Sequence, residues 1–301
     1  MLLVLASSQI AWWIGGPAGG FHLVGYSLGG GLSVAFARYM SHLVRSLSLV
    51  APGGLIRRDV HVGWRSRLLY DSFVARRLLP GILVRYLVRR RIRPPTPSLA
   101  SQAEPAEAEI VDGDTAEPIP LPAGGADNRK REAPGNSDAS GGAAFDAGLV
   151  MPRYGAVPGA TVSSVVRWQV DRHEGFVAAF LSTIRHAPIY APQGDWAVLS
   201  SLLAARRPPR GKDSDDSDAG TLPGGLCGGR IHMVLGENDP VIVRDEAVHD
   251  AREVLGPDGV AFTVLPAGGH EIPMSRSVEV AEALVAFWNK SYPAPAPAHL
   301  D

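Results

Sequence analysis

Residues 25–30, Gly-Tyr-Ser-Leu-Gly-Gly, join a short apolar run to a stretch of small and apolar residues at helical spacing. Phe21 to Tyr26 reads as a buried strand and Leu28 to Met40 as a helix, so the chain must turn on Ser27 alone. A strand that becomes a helix through one residue holds that residue in a strained conformation. Side chains two positions to either side are expected to collide with it, which assigns Gly25 and Gly29 a steric role. Ser27 then stands at a helix N-terminus, where the local field favours negative charge. The backbone amide of Leu28 is positioned to donate to an anionic oxygen. A glycine-rich turn with no chemistry is the plainer reading. The strand before and the helix after favour a nucleophile instead.

A serine hydroxyl is almost never ionised near neutral pH, so it needs a base. His270, in Pro266-Ala-Gly-Gly-His-Glu-Ile-Pro273, follows a strand candidate and precedes the last helix. That places it at the carboxyl edge of a sheet, on the same side as Ser27. The other histidines lack this setting: His22 and His232 lie in strands, His42 ends a helix, and His249 lies within one. An acid must hold the imidazole in the right tautomer. Asp239, in Leu235-Gly-Glu-Asn-Asp-Pro240, precedes His270 by 31 residues, room for one helix and one strand. A helix cap is the competing role for Asp239, and Glu237 is the weaker candidate for the acid.

In this order, Gly25-Tyr-Ser-Leu-Gly-Gly, Gly236-Glu-Asn-Asp and Gly268-Gly-His resemble the α/β-hydrolase superfamily, over roughly residues 1–56 and 229–290. The resemblance implies a parallel sheet flanked by helices, with Ser27 as nucleophile, Asp239 as acid and His270 as base. It implies the chemistry of serine esterases, lipases and related acyl hydrolases, with no cofactor. Ser27 argues against members that carry Asp at the same turn. One departure matters: in the family several strands precede this turn, and a loop among them supplies a second oxyanion donor. Here Met1 to Ile14 reads as the helix just before the strand, so the expectation is an N-terminally truncated member. Phe21–Tyr26 then becomes an apolar edge strand, a surface for dimerisation or aggregation. A catalytically impaired fragment with a binding role, and an acyltransferase using the same three residues, are the alternatives.

Strand and helix candidates alternate at both ends: Val44 to Val50, Ile231 to Leu235 and Val260 to Leu265 as strands, Val243 to Leu255 and Val278 to Asn289 as helices. This alternation argues a parallel sheet flanked by helices. The stretch 57–228 does not follow it and is read as a cap or lid insertion. Within it, residues of about 94–160 and 206–220 are too polar and too poor in aromatics to offset chain entropy, and are expected to be disordered. The 34 glycines and 25 prolines exceed ordinary usage and fall partly in these segments. Residues 291–301 read as a flexible tail.

With 29 basic and 30 acidic residues the net charge is −1, which gives no reason to expect nucleic acid. The single cysteine, Cys227, excludes an intrachain disulfide and a thiolate-rich metal site. His173 and His186 have no carboxylate partner at a ligating spacing, so no metal is expected. No convincing signal or membrane span is read, and the cytoplasm is the expected location. Arg76 to Arg93 carries seven arginines among Leu, Ile, Val and Tyr, broken by Pro80-Gly81. A cap helix with a solvated face is the plainer reading and a membrane-surface contact the sharper one. Phe176, Phe180, Ile184 and Tyr190, with Trp168 and Trp196 nearby, are read as cap core ahead of an acyl pocket. The expected substrate is a small hydrophobic acyl compound.

Overall fold

The computed structural model describes residues 20–57, 81–92, 162–190, 193–207 and 225–291. Four strands form one sheet in the order β1 (Phe21–Tyr26), β2 (Val44–Val50), β3 (Ile231–Gly236) and β4 (Val260–Leu265), every pair parallel. Parallel neighbours need a crossover between them. Helix α1 (Leu28–Met40) connects β1 to β2, and α6 (Arg244–Leu255) connects β3 to β4. Between β2 and β3 come α2 (Gly81–Ile92), α3 (Val162–Arg172), α4 (Phe176–His186) and α5 (Gln193–Ala204). After β4 follow the short α7 (Ile272–Ser275) and α8 (Ser277–Ser291). The fold is the α/β class expected, a parallel sheet flanked by helices.

The register separates the two faces. Leu23 pairs with Leu47, and Leu49 with Gly25 and Met233, so these side chains line one face. Helix α1 covers that face: a Cβ built on Gly25 would lie 2.5 Å from Ser33 Oγ of α1. Helix α5 packs between α1 and α6. Its Trp196, Leu199 and Leu203 are buried in the same core as Val34, Leu47, Leu49, Met233 and Leu235. Helix α5 therefore builds the main core, although its residues fall in the 57–228 stretch. An ion pair from Arg38 of α1 to Asp195 of α5 ties the two helices together.

The opposite face mixes apolar residues such as Val50, Val234 and Leu265 with buried polar ones. His22 bonds Ser46 at 2.6 Å, and His232 bonds Thr263 at 2.9 Å, each across neighbouring strands. Helix α8 covers them with aromatic rings: Trp288 stacks on His22 at 4.6 Å between centroids, and Phe287 on His232 at 4.8 Å. The two pairs lower the cost of burying these groups.

A second, smaller core joins α2, α3 and α4 through Val88, Val170, Val177, Leu181 and Ile184, with Ile189 just beyond. Phe176, Phe180 and Tyr190 pack against it. Trp168 is exposed instead, and Trp196 belongs to the main core. This second core meets the first where Pro188 lies on α1: a Cβ on Gly31 would sit 2.2 Å from the Pro188 carbonyl oxygen. The Gly54 N–H donates to the Ile189 carbonyl at 2.7 Å beside this contact. Among the described residues, β1 is an outer strand of the sheet. The helix expected over Met1–Ile14, residues 58–80, most of the polar insert and the tail beyond Ser291 lie outside the described residues. Among those described, no helix is long and apolar enough to cross a membrane.

Candidate active site

Parallel strands deliver the loops that follow them to one edge of the sheet. Ser27 follows β1, Asp239 follows β3 and His270 follows β4. The structure brings these three together. Ser27 Oγ lies 2.9 Å from His270 Nε2, and His270 Nδ1 lies 2.9 Å from Asp239 Oδ2. A carboxylate only accepts, so Nδ1 carries the hydrogen and donates to Asp239. The bare Nε2 then accepts from the Ser27 hydroxyl. His270 and Asp239 are buried, while Ser27 is half-buried and open to a reactant.

The backbone explains why Ser27 points at the imidazole. Serine at the residue before a helix ordinarily caps it by accepting from an amide of the first turn. Ser27 makes no such cap, because its φ of 49° and ψ of −119° turn the side chain away. A conformation of this kind costs about 1–3 kcal/mol and persists only when its surroundings hold it. The Ser27 N–H donates to Val50 O at 3.0 Å, and Ser27 O accepts from Gly30 N at 2.8 Å and Gly53 N at 2.7 Å. Leu28 opens α1, so its N–H has no acceptor within the helix.

The two flanking glycines differ from expectation. A Cβ on Gly25 would come within 2.5 Å of both Gly29 O and Ser33 Oγ, so Gly25 must stay small. Its obstacle is the first turn of α1, not Ser27. The collision expected at Gly29 is absent: a Cβ there meets nothing within 4 Å. The reason is direction, since side chains on a helix lean outward from its axis and toward its start, and here that space is open.

Asp239 is fixed from two sides. Its Oδ1 accepts from Val241 N at 2.7 Å and Ile242 N at 2.8 Å, which leaves Oδ2 for His270. Asp239 does not cap α6, whose N-cap is Val243 with no side-chain cap bond; it organises the loop ahead of that helix and meets the histidine. Glu237 does not reach the imidazole. Its Oε2 accepts from the Ala267 N–H at 2.9 Å, and its Oε1 lies 3.7 Å from Arg244 Nη1. Ala267 has a φ of 53°, a left-handed conformation disfavoured for alanine, so Glu237 holds a strained turn three residues ahead of His270. The same turn is braced by Asn238 N donating to Gly268 O at 2.8 Å and by Arg276 Nη1 donating to Pro266 O at 3.1 Å.

Tyr26 is a neighbour that motif reading passed over. Its ring lies 5.6 Å from the His270 ring, tilted by 37°. Burial, and then the charges of Glu271 and Asp239, push its hydroxyl well above the usual phenol range, so it stays protonated. Its place at the end of a strand, directly before Ser27, is the signal that marks it as a wall of the site.

Among the described residues, one group has metal-ligating atoms close together: His249, Asp250 and Glu253 on α6. Asp250 is already paired with Arg57, whose Nε donates to Oδ2 at 2.9 Å. An open depression of about 620 Å³ runs along α8 past Val278, Ala281 and Val285, and none of the three site residues lines it.

No family model and no curated protein matches the chain. Among solved structures it is similar to a meta-cleavage product hydrolase from Pseudomonas fluorescens, at 15% identity over 90% of this chain and 65% of that one, with a TM-score of 0.41. A carboxylesterase of the thaumarchaeon Nitrososphaera gargenis is similar at 15% identity over 96% of this chain and 71% of that one, with a TM-score of 0.42. A thermophilic esterase is similar at 12% identity over 96% of this chain and 72% of that one, with a TM-score of 0.44. The chain spans 65% of the length of the first of these.

Proposed function

We propose that this chain is a serine hydrolase of the α/β-hydrolase type, acting on a carboxylic ester or a related thioester or amide. The observation that carries the reading is the line of hydrogen bonds from Ser27 through His270 to Asp239, each 2.9 Å, joining three loops far apart in sequence. In the proposed reaction, Ser27 Oγ attacks the acyl carbon while its proton passes to His270 Nε2. The Leu28 N–H donates to the oxyanion that forms. Asp239 stabilises the imidazolium, which then gives its proton to the leaving group. Water, activated by the same Nε2, hydrolyses the acyl-enzyme and restores Ser27.

A hydrophobic acyl group is the proposed substrate. Leu28 packs against the small core of α2, α3 and α4, as do Phe176, Phe180 and Tyr190, so the ground beside Ser27 is apolar. These helices are proposed to act as the cap. The test is labelling with a fluorophosphonate probe, together with hydrolysis of short and medium p-nitrophenyl esters. The expected result is covalent labelling at Ser27 and turnover that falls at least about 10³-fold in Ser27→Ala. An unlabelled Ser27 and no ester hydrolysis by the intact chain would leave a binding protein in place of an enzyme. Transfer to an added alcohol in preference to water would identify an acyltransferase.

A further inference from the structure

Helix α2 is built the wrong way round for a helix in water. Val88 is fully buried against α3 and α4, as a helix in a small bundle requires. On the far side stand Ile82 at 83% exposure, Leu83 at 40%, Tyr86 at 58% and Leu87 at 37%. Their spacing, 82, 83, 86 and 87, puts them on one helical face. An ordinary cap helix has its charged residues there. Trp168 on the adjoining α3 is 59% exposed as well. The same helix is rich in cations. The helix reads Gly-Ile-Leu-Val-Arg-Tyr-Leu-Val-Arg-Arg-Arg-Ile, with four arginines and no acid. Arg89 is exposed and anchors the helix by donating from Nε to Val170 O at 2.7 Å.

We propose that α2 docks the cap on an anionic lipid surface. Aliphatic and aromatic side chains suit the boundary between headgroups and acyl chains, and tyrosine and tryptophan concentrate there. An arginine-rich segment with no compensating acid is attracted to phosphatidylglycerol or phosphatidylserine headgroups. A lipid surface is favoured over a second copy of this chain, because two helices that each carry four arginines and no acid would repel one another. The contact is peripheral: α2 has 12 residues, too few to span a bilayer.

Co-sedimentation of the full chain with vesicles tests this without any turnover, so its outcome is separate from that of the hydrolase reading. Vesicles of phosphatidylcholine alone are compared with vesicles containing about one-third phosphatidylglycerol. The expected result is binding to the anionic vesicles that weakens steeply with added salt, and little to the neutral ones. Arg90→Gln/Arg91→Gln is expected to weaken binding about 25-fold, two steps of roughly fivefold. Ile82→Asp/Tyr86→Asp is expected to weaken it at least about tenfold, with the far-ultraviolet circular dichroism unchanged. No sedimentation with either vesicle, equal binding to both, or undiminished binding by both double variants overturns the proposal. So does concentration-dependent dimerisation that Ile82→Asp/Tyr86→Asp abolishes while vesicle binding persists.

Discussion

Both carboxylate oxygens of Asp239 are engaged, one by two backbone amides and the other by His270, and that division decides how the neighbouring acid acts. With Asp239 on the imidazole, Glu237 is left to hold the turn that carries it. The proof of such a role lies in chemistry, since the Glu237 side chain needs only an acceptor for the Ala267 N–H. Glu237→Gln retains an acceptor and should keep kcat near the wild-type value. Glu237→Ala removes it, and the loss of one net hydrogen bond, about 1 kcal/mol, corresponds to roughly fivefold in kcat if the turn carries His270 with it. KM should stay within about twofold, because Glu237 does not face the apolar ground beside Leu28. Ala267→Gly relieves the left-handed alanine and should restore part of the loss in the Glu237→Ala background. Steady-state kinetics on a p-nitrophenyl ester read all four proteins. Equal kcat in Glu237→Ala and wild type would remove Glu237 from the account.

At the scale of elements, the turn between β1 and α1 separates two glycines that a motif treats alike. Gly25→Ala forces a Cβ to within 2.5 Å of Gly29 O and Ser33 Oγ, so it should destabilise the fold by about 1–3 kcal/mol and displace Ser27. Gly29→Ala enters open space inside a helix, where alanine is favoured over glycine by up to about 1 kcal/mol, and should be neutral or stabilising. Urea unfolding of the two variants measures the difference, and equal destabilisation would refute it. The motif was legible because it depends on local chain geometry: strand, single-residue bend, helix. The strands and helices at either end were legible for the same reason, with Phe21–Tyr26, Val44–Val50 and Val260–Leu265 found at the bounds that apolar runs predict. What sequence could not carry is pairing across distance. That His22 meets Ser46, that His232 meets Thr263, and that Trp196 leaves the cap for the main core follow from register and packing. Glu237 and Asp239 are both carboxylates after one strand, and only the direction of each side chain separates their parts.

For the whole molecule, two histidines of the sheet make stability depend on pH. His232 is 3% exposed, its Nε2 satisfied by Thr263 and its ring covered by Phe287. Burial lowers its pKa from the ordinary 6.5 to about 4, so the folded chain keeps this imidazole neutral where the unfolded chain protonates it. His22 is lowered too, by burial and then by the nearby charge of Arg45. A lowered histidine favours the folded state above the unfolded pKa of 6.5, and that advantage drains away as pH falls toward 4. The slope approaches about 1.4 kcal/mol per pH unit for one such group, near 3 kcal/mol over the whole window. Asp250 also has a lowered pKa, its hydrogen bonds to Arg57 and His249 outweighing the opposing effect of burial. That carboxyl loses its contribution only below the ordinary carboxylate range, so the interval between pH 6.5 and 4.5 isolates the histidines. The expected outcome is a Tm that falls on acidification from pH 7 to 5 in the wild type, and falls less steeply in His232→Gln. The variant itself should melt lower at pH 7, because glutamine cannot replace the ring stacked on Phe287. A variant whose Tm tracks the wild type in parallel across that interval would mean that His232 is not the group the fold holds neutral, and the titration would have to be sought at His22, under Trp288.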